Sequence, residues 1–161
     1  MSRIRRHVGR LRAALSRPSD IWLLVRMLAW SAVLPLAKVT IPLPKLVRLM
    51  RPRSARRGRD RARESTITGL AGWVFKTRPP GSRDNCLERA LVTYRYLSRA
   101  GAEPELVVGI AAPGEANRGH AWVRVDGHAV HDEPAALRPY AELVVFRSNG
   151  TIERPEPPSA A

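Results

Sequence analysis

The chain has 161 residues, 44% of them hydrophobic, which supports one modest domain with a core of its own plus extensions. Its single cysteine, Cys86, excludes an intrachain disulfide and fits a reducing compartment. The net charge of +14 sits in one part of the molecule. Residues 1–65 hold 17 Lys/Arg against 3 Asp/Glu, while residues 66–161 hold 11 of each, so the first part suits an anionic surface or an acidic partner and the second is electroneutral.

In chain order, Ile4, Val8, Leu11 and Leu15 recur at helical spacing and predict a short basic amphipathic helix within residues 1–16. No uncharged h-region and small-residue cleavage site follow Arg5-Arg6, so that pair is not read as an export signal. Ile21 to Ala37 is the most apolar stretch, with Asp20 placed to cap a helix beginning at Ile21. It is short for a membrane span and carries Arg26 at its middle and Pro35 near its end. A helix packed on the domain or on a partner is expected, with a position on a membrane surface as the alternative. Ile41 to Met50 holds two prolines and then a short helical pattern. The basic run from Arg51 to Arg63 lacks the interleaved aromatic residues of a single-strand site, so it predicts a solvated loop or helix face and no specific nucleic acid. Thr66 to Phe75 reads as a helix or turn carrying Trp73 toward the core, and Pro79-Pro80-Gly81 marks the entry to the C-terminal unit.

From there the local signals sharpen. Asn85 and Glu88 form a capping box, apolar residues from Leu87 to Leu97 follow at helical spacing, and Gly101 supplies a stop, so a helix is predicted from Cys86 to about Ala100. Strands are predicted at Glu105–Ala111, His120–Val125, His128–Asp132 and Glu142–Phe146, with a loop at Pro113–Gly119 and a turn at Asp126-Gly127. The tail from Glu153 has no means of burying itself and is expected to be disordered. The resulting plan is α+β: a basic helical region over 1–65, a core over 66–150 with the Cys86 helix packed on a small antiparallel sheet, and a tail over 151–161.

Cys86 at the first turn of a helix lies where orphan N–H groups and the helix dipole favour a thiolate. A three-residue hairpin loop, Val125-Asp126-Gly127, pairs Arg124 with His128, Trp122 with Val130 and His120 with Asp132. The last pair would have Cβ atoms about 5 Å apart, the relation of a base to its orienting carboxylate. A two-residue Asp126-Gly127 loop would put them on opposite faces. His131 is expected to point away from the side occupied by Asp132, His128 to lie exposed at the turn, and His7 to sit in the basic arm. The histidines share no face with a second cysteine and no HExxH is present, so no metal site is expected.

Cys86-Leu87-Glu88-Arg89-Ala90-Leu91, Gly101, the ELVVGIA strand, Gly119-His120-Ala121-Trp122-Val123, and Asp126-Gly127 with Asp132 resemble the peptidase domain of lasso-peptide maturation proteases. This is the B2 or microcin J25-processing protein type of the transglutaminase-like superfamily, and the resemblance covers about Asp84 to Phe146. It implies a papain/transglutaminase-like fold and a cysteine protease that removes the leader from a ribosomally made precursor peptide, a step of antibiotic biosynthesis. Cys86 would be the nucleophile, His120 the base and Asp132 its orienter, with no cofactor. One oxyanion donor would be the Cys86 N–H, and a second is sought among Arg83, Asn85 and Trp73. The implied partners are the precursor peptide, a separate leader-binding recognition protein, and an asparagine-synthetase-like lasso cyclase that uses ATP. The implied location is cytoplasmic; the charge and the apolar helix of the N-terminal part fit either docking of the recognition protein or cyclase or peripheral contact with the inner membrane face. Two other readings stand beside this one. The same triad serves a transglutaminase-like acyltransferase, and the basic half alone suits a non-catalytic membrane- or partner-binding module.

Overall fold

The computed structural model describes residues 18–54, 58–76, 86–111 and 119–155. The basic helix expected within residues 1–16, the Asn85 cap and the Pro79-Pro80-Gly81 break lie outside them. The apolar stretch forms α1, Pro18–Thr40, three residues longer at each end than its apolar core. Leu23, Met27, Leu34 and Ala37 recur at helical spacing and are buried. Asp20, expected as the cap, lies inside the helix and instead faces Arg63 at 3.5 Å. By length and composition α1 is able to cross a membrane, yet a third of its most apolar window is buried inside the protein.

Helix α2, Leu43–Met50, opens with a proline in its first turn, a place where a missing N–H costs nothing. Helix α3, Arg61–Lys76, begins inside the basic run because the Asp60 carboxylate accepts the Arg63 N–H at 2.9 Å and caps it. This helix spans the boundary expected at 65/66, and one core, from Leu23 and Met50 to Leu70, Leu91 and Phe146, runs across it. Helix α4, Cys86–Arg99, buries nine of its residues from Glu88 to Ser98. The Glu88 carboxylate, 2% exposed, takes the Lys38 ammonium at 3.1 Å and ties α1 to α4.

The sheet contains β1, Glu105–Ala111; β2, Gly119–Val125; β3, His128–Ala129; β4, Tyr140–Arg147; and β5, Ile152–Glu153. A one-turn helix, α5, Pro134–Leu137, precedes β4. All pairings are antiparallel, in the order β3-β2-β1-β4-β5. Alternation divides the strands between two sides. Leu106, Ala121, Val123 and Phe146 join the helical core, while Val107, Trp122 and Val145 pack with Leu137 and Tyr140.

Three expectations fail here. Ile152 and Glu153, assigned to a disordered tail, add an edge strand, held by Arg147 ion-paired to Glu153 at 2.6 Å. The hairpin loop has two residues, because Arg124 pairs with Ala129 and Val125 with His128. Asp126 at φ 51° and Gly127 at φ 78° make the type I′ turn, whose twist suits a strand pair. The returning strand, expected to reach Asp132, stops at Ala129; one further backbone bond joins Val130 N–H to the Val123 carbonyl at 2.9 Å, and the chain then bends away.

Candidate active site

Cys86 is the first described residue of α4 and is half-buried, against β2. His120 lies near the start of β2, and Asp132 lies in the bend after β3. The two-residue turn puts Asp132 out of register with His120, but the bend frees it from the strand's alternation. Its Oδ1 meets His120 Nε2 at 3.3 Å. The two side chains meet as expected, but through the bend and not through strand register. With Nε2 turned to the carboxylate, Nδ1 is the ring nitrogen left for the Cys86 thiol, which also bonds the imidazole. The ring is held from the side as well. Trp122 stacks on it at 5.9 Å between centroids and Tyr140 leans on it at 5.0 Å.

Burial alone would raise the Cys86 thiol. The hydrogen bond to His120, the amides of Ala121 and Leu87, and the imidazolium charge outweigh it and lower the thiol. His120 is pushed up to about 9, first by its bond to Asp132, then by its bond to Cys86, against the opposing effect of burial. Burial raises Asp132 too, but the bonds and charges of His120 and Arg89 prevail and hold it below the usual carboxylate value. The arrangement favours a thiolate beside an imidazolium, the pairing of nucleophile and proton donor that acyl transfer uses.

Arg89, which was given no separate role, and His131, expected on the opposite face, both join the bend that carries Asp132 to α4. Arg89 Nη2 donates to both its carboxylate oxygens, at 2.8 and 2.9 Å. Arg89 is one helical turn from Cys86, and that i, i+3 spacing was the available signal. His131 does not point away as expected. Its Nε2 lies 3.1 Å from the hydroxyl of Thr93, which is one turn beyond Arg89 on α4, and its ring rests 3.8 Å from where a Gly72 side chain would begin. Burial, with Arg89 nearby, depresses it to about 4, so it is neutral near pH 7. Adjacent residues contact one helix face because the backbone there is bent rather than extended. His128 is exposed at the turn, its Nδ1 2.8 Å from the Asp126 carbonyl.

The possible second oxyanion donors Arg83 and Asn85 lie outside the described residues, and Trp73 packs partly buried against the core. Among the described residues no group of three or more His, Cys, Asp or Glu is arranged to hold a metal.

With this geometry in view, comparison with protein families finds a match to the transglutaminase-like superfamily over residues 21–145. The chain belongs to the transglutaminase-like superfamily. That superfamily includes cysteine peptidases and acyltransferases, and its matched range runs from α1 through α2 to β4. Comparison with curated proteins and with solved structures gives no significant match.

Proposed function

We propose that this transglutaminase-like protein is a cysteine peptidase that removes the leader from a ribosomally made lasso-peptide precursor. The observation that supports it most is the thiol of Cys86 beside His120, with Asp132 on the far ring nitrogen. The resemblance of the strings around Cys86 and His120 to the maturation proteases directs that chemistry to a leader–core junction. Cys86 attacks the junction carbonyl, and the tetrahedral oxyanion is held by the Cys86 N–H and a second donor. The His120 imidazolium gives its proton to the leaving core amine. The resulting thioester carries the leader. Water, deprotonated by His120, attacks it, and the leader leaves with a new carboxylate as the thiolate returns. Asp132 and Arg89 keep the ring orientation through both stages.

The freed core amine passes to the ATP-using cyclase, and a separate recognition protein presents the leader. No cofactor takes part in the hydrolysis. The test is mass spectrometry of precursor peptide incubated with the protein and its recognition partner. One cut, at the leader–core junction, is expected with wild type and none with Cys86→Ala. Leader joined to an added amine would move the protein to the acyltransferases of the same superfamily, and equal cutting by Cys86→Ala would remove the mechanism.

A further inference from the structure

The face of α1 turned away from the core is apolar along its length. Ile21, Val25, Leu28, Leu36 and Val39 follow one another at helical spacing and are 42–79% exposed. Trp22, 68% exposed, widens the strip, and Leu49 of α2 is also bare. Soluble monomers rarely leave a long apolar strip uncovered.

Beside it lie two clefts walled by arginine. The first, about 490 Å³, is lined by Trp22, Arg26, Arg63 and Arg99, with Tyr96 at its wall. The second, about 350 Å³, shares Ser54 and Arg99 with the first and continues to Arg48, Arg53 and Arg95. Among the described residues no carboxylate lines either cleft. Arg63 has Asp20 at 3.5 Å, and Arg95 donates to the Leu49 and Met50 carbonyls at 3.2 and 3.0 Å. Arg26, Arg48, Arg53 and Arg99 meet no described carboxylate. The Tyr96 hydroxyl, in a side chain 4% exposed, and the neighbouring Arg95 Nε are buried without a hydrogen bond of good geometry. Burial, together with the charges of Arg99 and Arg26, weakens Arg95's hold on its proton, even though Tyr96 opposes this. Like charges gathered without a counter-charge repel one another, and an anion relieves both the repulsion and the unmet donors.

We propose that this surface docks the protein on an anionic phospholipid bilayer, the α1 strip entering the boundary of the acyl region while the arginine clefts hold lipid phosphates. Charge complementarity and continuity favour a bilayer over an acidic protein. Trp22 belongs to both the strip and the first cleft, and Leu49 lines the second, so apolar and cationic groups form one surface, as on an interfacial helix. An acidic protein accounts for the arginines but leaves the aliphatic strip uncovered. Residues 1–17 add six arginines and no carboxylate to the same end of the chain. The helix lies on the bilayer and does not span it, because Leu23, Met27 and Leu34 are committed to the core and its ends are tied through Asp20 to Arg63 and through Lys38 to Glu88. Cys86 and Arg99 stand at opposite ends of α4, roughly 20 Å apart at the helical rise, so the thiol lies outside the arginine clefts. The inference does not depend on the reaction assigned to Cys86.

The test is co-sedimentation of the full chain with vesicles of phosphatidylcholine alone or rich in phosphatidylglycerol, with tryptophan fluorescence read in parallel. Binding is expected only to the anionic vesicles, with a blue shift that Trp22→Phe abolishes. Arg26→Gln with Arg99→Gln should weaken binding about 25-fold, roughly fivefold for each charge. Leu36→Asn with Val39→Asn should leave a weaker attachment that moderate salt releases. These side chains are on the surface, and circular dichroism checks that each variant folds. Equal binding to both vesicle types, or wild-type binding by both double variants, would overturn the proposal. So would a Trp22 response to inorganic phosphate without vesicle binding, which indicates a small-anion site. No binding to either vesicle assigns the face to a protein partner and also overturns it.

Discussion

Cys86 and His120 each shift toward the charged form, and each is a main cause of the other's shift. The active species needs thiolate and imidazolium together. Activity should therefore rise with pH through the lowered thiol value and fall as His120 loses its proton near 9. Asp132 is the largest cause of the His120 shift. Asp132→Asn should move the alkaline limb of a kcat/KM profile from about 9 toward the ordinary 6.5 and slow the reaction about a hundredfold or more. An unchanged limb would remove Asp132 from its role. Arg89 acts on the same carboxylate from the other side. Arg89→Ala is expected to cost about 1–3 kcal/mol of stability, since it leaves a largely buried carboxylate short of a charged partner. Chemical denaturation checks it.

The β1–β2 ladder and the hairpin carry the site at the level of elements. Gly109 pairs with His120 across the ladder and sits where the register of β1 against β4 shifts. A Cβ there would stand 2.8 Å from the Ala141 carbonyl and 3.0 Å from the Trp122 ring, and that ring stacks on His120. Gly109→Ala should cost roughly 1–3 kcal/mol by overpacking and lower activity beyond what the stability loss explains, because the His120 ring loses its wall. Thermal unfolding and rate together test this. The ladder was legible because Glu105–Ala111 is β-branched and apolar between turn signals, and α4 because its apolar spacing runs to Gly101. The turn was not. Asp126-Gly127 supports either loop length locally, and here the type I′ twist decides for two residues. The contact of Asp132 with His120 then depends on a bend after Ala129, which no periodicity announces. Arg89 and His131 were missed for a related reason, since their roles depend on α3 and α4 meeting that bend. Ile152–Glu153 is too short a strand to leave a pattern.

For the whole molecule, one core binds the basic half to the electroneutral half, so the change in composition near residue 65 marks a change of surface and not a domain boundary. Two histidines make the fold pH-sensitive at both ends. His120 is raised to about 9, so its contribution to stability is complete below about 6.5 and is lost as pH rises through 9. His131 is depressed to about 4 and is neutral in the fold, so stability falls as pH drops from about 6.5 to 4. Urea unfolding at pH 7 and at pH 4.5 should show a smaller acid loss in His131→Gln than in wild type. Equal losses would mean that His131 is not held neutral.

Because Cys86 is the single cysteine, its reactivity reads out directly. The decisive measurement is the rate of iodoacetamide alkylation across pH, followed by intact mass, for wild type and His120→Ala. Wild type should already react near neutral pH, with its inflection below the ordinary thiol value of 9.0, and His120→Ala should move the inflection up. A wild-type inflection at 9.0, unchanged in His120→Ala, would contradict the thiolate–imidazolium pair on which the proposed chemistry rests.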